Sequence, residues 1–142
     1  MQVQKKIIKE KILNSARKEF RKVGYNKASM RSISKNSSIT VGNLYRYFKS
    51  KEKLFFEIVE PAYNGVKEII EEFNEYISEG LDFNYLYQLA TTRILEIYYE
   101  FSDELIILID GCEGTPFAST VDDLIDTIKS LISKVLLDIS LT

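Results

Sequence analysis

The sequence predicts an all-α protein in two parts, an N-terminal three-helix unit followed by a longer helical remainder. Three observations carry that expectation. Apolar residues recur at spacings of three and four, the period of a helix with one buried face. No alternating Val/Ile/Thr run is bounded by an Asn-Gly or Asp-Gly turn, so strand signals are absent. The charge divides with the chain: residues 1–60 carry 15 Lys and Arg against 5 Asp and Glu, and residues 61–142 carry 4 against 16. The net charge of −2 therefore conceals halves of +10 and −12.

Helix one is expected over residues 5–23. Ile8, Ile12, Ala16 and Phe20 step by four along one face, and Gly24 follows where a left-handed C-terminal cap is needed. Ser29 is placed to cap a short second helix carrying Met30 and Ile33, and Thr40 to cap a third carrying Leu44 and Phe48. Ser50 caps a fourth that begins at Lys51 and buries Leu54, Phe55, Ile58 and Val59. Pro61 is expected to end or kink that helix, after which Ala62, Val66, Ile70, Phe73 and Ile77 resume the period. Breaks at residues 79–83 and 110–117 frame two further helices, over 84–101 and 103–112. A last helix over 119–140 bears a wide apolar stripe from Val121 to Ile139. That stripe covers about half the circumference, more than one core contact needs, so part of it is expected to meet a second subunit.

Composition excludes several classes. There is no histidine, no nucleophile–base pair, no Gly-rich phosphate loop and no Cys/His metal spacing, so neither an enzyme nor a metal or cofactor site is expected. The single cysteine, Cys112, allows no intrachain disulfide, and no cationic neighbour is evident to make it reactive. The charged start "MQVQKKIIKEKIL" contains no signal-peptide core, and the longest aliphatic run, residues 105–109, is far short of a membrane span. A soluble, cytoplasmic protein with no membrane partner is expected.

Helix, short helix, tight connection, short helix is the helix-turn-helix arrangement. On a helical wheel with Leu44 inward, Val41 and Phe48 point the same way. Gly42, Arg46 and Lys49 point outward, flanked by Asn43 and Tyr45. Such a face suits a DNA groove: Gly42 admits the backbone, Asn and Arg hydrogen-bond base edges, and Tyr, Arg and Lys reach phosphates. The bland alternative for the lysines here is a solvated helix face.

These residues also carry a resemblance. The stretch 12–55, "ILNSARKEFRKVGYNKASMRSISKNSSITVGNLYRYFKSKEKLF", resembles the DNA-binding region of the TetR-family bacterial transcriptional regulators. The shared features are the spacing of residues 12, 13, 16 and 20, then Gly24-Tyr25, Ser29-Met30-Arg31 and Ile33. After the turn come Gly42, Leu44-Tyr45, Tyr47-Phe48 and residues 49–52, "KSKE". The resemblance implies that Thr40, Val41, Gly42, Asn43, Tyr45 and Arg46 lie along a recognition helix in the major groove. It places Ser29 and Arg31 at the start of the second helix against an adjacent base or phosphate, and gives Tyr47 and Lys51 phosphate contacts. The sequence departs from the family pattern at Ser34, Ser37 and Ser38, where small apolar residues or glycine are usual. Ser38 falls at a turn that tends to positive φ, at a cost of about 1 kcal/mol for a side chain.

The resemblance further implies domains at residues 1–50 for DNA binding and 51–142 for effector binding and dimerisation. It implies a homodimer on double-stranded DNA, most often a repressor answering a small molecule. Aromatics of the rear part, Tyr63, Phe73, Tyr98 and Phe101, are the candidates for lining a pocket for an apolar or aromatic effector. Family members usually continue into another helix where this chain stops, leaving two readings: a short member, or a chain lacking its last dimerisation helix. The rival reading of function is a DNA-binding architectural or adaptor protein with no effector.

Overall fold

The computed structural model of the chain describes residues 1–80 and 82–140, and every regular element within them is a helix. In order these are α1 (Gln2–Lys27), α2 (Met30–Ser37), α3 (Val41–Tyr47), α4 (Lys51–Ser78), α5 (Phe83–Gly111) and α6 (Phe117–Ser140). Leu81, Leu141 and Thr142 lie outside the described residues, as does the side chain of Ile139, so that end of the apolar stripe is not assigned a neighbour.

The short elements form where their caps put them. Ser29 accepts from the Ser32 amide at 3.0 Å, Thr40 from Asn43 at 3.3 Å and Ser50 from Lys53 at 3.1 Å, so each side chain satisfies one amide that the first helical turn leaves free. Gly24 takes φ +72° and breaks the helical run of α1, and the Ala28 amide then closes a turn onto its carbonyl at 3.1 Å. Ser38 takes φ 58°, the left-handed conformation expected at the α2–α3 turn. The serines that stand where small apolar residues are usual satisfy themselves locally. Ser34 Oγ donates to the Ile39 carbonyl at 2.5 Å and Ser37 Oγ to the Ser34 carbonyl at 3.1 Å. Ser15 Oγ donates across to the Ile33 carbonyl at 2.9 Å, joining α1 to α2.

The two breaks expected inside the long helices come out differently. Pro61 does not end α4, which runs on to Ser78. The proline lies on the exposed side, while Ile58, Val59, Ala62 and Ile70 are buried on the other. Packing on both sides of the proline holds the helix through the one hydrogen bond it cannot make. Residues 83–111 are two helical segments that run together across a kink at Phe101 (φ −130°, ψ 33°), where the break between helices over 84–101 and 103–112 was expected.

A single core joins the basic and acidic parts. Ile12, Ala16 and Phe20 of α1 pack with Ile33, Leu44, Leu54, Phe55, Val59, Ile107 and Val121, contributed by all five other helices. Phe20 and Phe55 meet edge to face at 5.1 Å, and Tyr25 meets Phe55 in the same way at 5.2 Å. The Lys51 ammonium reaches back from the start of α4 to donate to the carbonyls of Tyr25 (2.7 Å) and Ala28 (3.0 Å), 4.2 Å from the centroid of the Tyr25 ring. It thereby ties the α1–α2 connection to α4.

The second seam is between α1 and α5. Arg17 pairs with Glu104 at 2.5 Å and Arg21 with Asp103 at 3.6 Å. Beyond them the two backbones approach at Gly24 and Gly111, where a Cβ built on Gly111 would stand 3.6 Å from the Gly24 Cα. At that distance a methyl group stands in ordinary van der Waals contact, while a branched side chain has neighbours on three sides. Gly111→Ala should therefore leave stability near wild type, whereas Gly111→Val should cost about 1–3 kcal/mol in urea unfolding as the helices are forced apart. Lys51→Met keeps the stem but strips two carbonyls of a charged donor, and is expected to lower stability by about 1–2 kcal/mol in the same measurement.

Candidate nucleic-acid interface

The site is built on α3, a helix of seven residues whose one buried side chain is Leu44. So short a helix holds its place only because Leu44, and Phe48 just beyond its end, enter the core below. With those two inward, Val41, Gly42, Tyr45 and Arg46 are exposed, an i, i+1, i+4, i+5 set that defines one outward face. Val41, which the helical wheel turns inward, stands at the surface because it begins the helix and has no turn above it. Asn43 is half-buried at the edge of the face.

Gly42 sits in open space on this face. A Cβ there would meet nothing within 4 Å, and its φ is not in the left-handed region, so neither packing nor backbone conformation requires glycine. The glycine leaves this stretch of the outward face bare. The charges agree: among the described residues no carboxylate pairs with Arg31, Arg46 or Lys49, and all three are exposed. The face is therefore an uncompensated cationic surface around a bare stretch of helix, able to meet phosphates and base edges together.

The other expected residues fall in three groups. Ser29 and Arg31 are exposed at the start of α2, beside the turn that leads into α3, and Thr40 is exposed at the cap of α3 itself. Tyr47 is half-buried and packs against the core. Lys51 is turned inward onto two carbonyls, a use that spacing alone does not reveal. Arg17, Arg21, Glu104 and Gly111, which hold α1 to α5, carry no signal in the sequence either, because nothing local marks a pair 87 residues apart.

The rear aromatics separate. Phe73 and Tyr98 line one apolar cavity of about 360 Å³ between α4, α5 and α6, together with Val66, Ile70, Ile94 and Ile128. Phe101 lines a different groove of about 680 Å³ between α4 and α5, of mixed polar and apolar lining, with Glu68, Arg93 and Glu100. Tyr63 lines neither; it packs on Phe117, ring centroids 6.3 Å apart, against the core. Burial pushes the Cys112 thiol above its ordinary value. No helix of the described residues is long and apolar enough to cross a membrane.

Comparison with known proteins agrees with this geometry. Residues 12–58 match the bacterial regulatory proteins of the tetR family, a span that covers the end of the first helix, the turn and the start of α4. The HTH-type transcriptional regulator QacR of Staphylococcus aureus is 37% identical over 105 residues, 66% of this chain and 55% of that protein. The HTH-type transcriptional regulator UidR of Escherichia coli K12 is 37% identical over 87 residues, 57% of this chain and 44% of that one. The chain thus spans about half the length of the curated relatives it matches. Among solved structures, a transcriptional regulator (TerR/AcrR family) from Aquifex aeolicus superposes over 91% of this chain and 71% of its own, with TM-score 0.59 and 28% identity. The fatty acid degradation regulator FadR from Bacillus halodurans shares the fold at TM-score 0.51 and 18% identity. The relatives are named as transcriptional regulators, and the helix-turn-helix of residues 12–58, in which the chain is similar to the tetR-family bacterial regulatory proteins, contains the outward face of α3.

Proposed function

We propose that the protein is a sequence-specific DNA-binding regulator, a ligand-responsive repressor that sits as a dimer on a pseudo-palindromic operator in the cytoplasm. The observation that carries this is the outward face of α3, bare at Gly42 and cationic at Arg46, with no internal reason for either. In this reading Arg46 and Asn43 address base edges, while Tyr45, Tyr47, Thr40 and Ser29 meet phosphates or sugars and Arg31 reaches beside them. Val41 gives apolar contact. Lys51 acts at one remove: its ammonium fixes the start of α4, where free backbone amides are left to face a phosphate.

Dimerisation is assigned to α6 and its neighbours. Leu131 and Val121 are buried, yet Ile132, Leu136 and Leu137 on the same helix are 54%, 59% and 61% exposed, an apolar strip that a second subunit would cover. The effector is assigned to the apolar cavity holding Phe73 and Tyr98 and takes the form of a small apolar or aromatic molecule. Its binding would favour a dimer whose two α3 helices no longer match the operator spacing of about one helical turn, with a coupling typically of about 1–3 kcal/mol.

Selection of bound duplexes from a random DNA pool, at low and near-physiological salt, tests the reading. A two-fold symmetric motif that survives the higher salt is expected; sequence-blind binding that disappears with salt would reject specific recognition. On the selected site Arg46→Ala should weaken binding by about 10- to 100-fold and relax preference at one base pair. Gly42→Ala should weaken it comparably while leaving thermal stability unchanged or slightly raised.

A further inference from the structure

Helix α1 starts ten residues before the stretch that matches the family, and those residues are the most exposed of the helix. Residues 1–7 are exposed throughout, with Val3 at 74% and Ile7 at 51%. This segment carries Lys5, Lys6, Lys9 and Lys11 against Glu10 alone. Among the described residues only Lys9 of these four pairs with a carboxylate, Glu57 of α4. The same ammonium stands 5.8 Å from the ring centroid of Phe48, the residue that closes α3. Lys9 therefore fixes where this end of α1 lies: beside the end of the recognition helix, next to Arg46 and Lys49 in the chain.

Lys5 is one turn before Lys9 on the same stripe of α1, about 6 Å further along its axis, and Lys6 is its neighbour around the helix. Both extend the unpaired cations of α3 past the limit of the helix-turn-helix. We propose that the first two turns of α1, through Lys5 and Lys6, bind the phosphate backbone of duplex DNA outside the groove that α3 enters. The partner is DNA rather than an acidic protein or lipid surface because Lys9, one turn on from Lys5, lies against Phe48 at the end of the groove-reading helix. The contact rests on the DNA-binding reading above. It carries no sequence information, so it acts on affinity and on salt dependence alone.

The test uses the full chain and a random-sequence 30-base-pair duplex as probe, with log Kobs followed against log salt. Lys5→Gln/Lys6→Gln is compared with Lys18→Gln/Lys22→Gln, which removes the same charge from exposed positions further along α1. The first variant should lower the salt slope by about 0.9 for each phosphate it no longer neutralises, with unchanged thermal stability. The second should keep the wild-type slope. Equal changes in both variants would reduce the effect to bulk charge, and a wild-type slope in the first would show that neither lysine meets a phosphate; either overturns the proposal and leaves DNA binding standing. A wild-type chain that leaves the duplex unbound at low salt overturns both readings.

Discussion

The insertion of Phe20 against Phe55 is the contact on which the rest of the structure depends. It joins α1 to α4, and Tyr25, Leu54 and Phe117 close around the same point. The two helices that define the reading head are too short to persist in isolation. They hold because Ile33 and Leu44, both fully buried, enter a core already organised by α1 and α4. The exposed face of α3 is thus a by-product of where Leu44 is anchored. Its orientation is set by residues that never touch the outside.

What could be read from the sequence is what local chemistry decides. Ser29, Thr40 and Ser50 sit one residue before an amphipathic run, and a hydroxyl at that position has an unpaired amide within reach. Gly24 and Ser38 mark positive φ for the same kind of reason, since a chain reversal next to a helix end leaves few conformations. Pro61 misleads because the proline rule concerns one hydrogen bond, whereas α4 is held by buried residues on both sides of it. Lys51 misleads because a lysine at a helix start looks the same in sequence whether it faces phosphate or two carbonyls 23 and 26 residues behind it. The aromatics show the limit of periodicity. Phe73 and Tyr98 share a cavity while Phe101 lines another, a division set by how α4, α5 and α6 pack rather than by spacing along the chain.

The opposed charges of the two halves are not segregated from each other. They meet along α1, whose Arg17 and Arg21 face Glu104 and Asp103 of α5. Arg17 and Glu104 are the better sheltered pair, so their attraction is less screened than that of the fully exposed bridges elsewhere on the surface. The positive half therefore uses part of its charge to hold the negative half. Among the described residues Arg31, Arg46 and Lys49 stay unpaired, so that pairing inside the chain leaves the helix-turn-helix face positive.

The meeting of Gly24 with Gly111 bears on how such a chain can be recombined. A contact made by two backbones offers no side chain that could be remodelled to suit a new neighbour. A rear segment grafted behind this turn keeps the approach if it carries glycine or alanine at the matching place, whereas a branched side chain there is expected to push α5 away from α1. The two parts differ in charge, yet the exchange of either for a foreign counterpart is limited by the bulk at this one crossing.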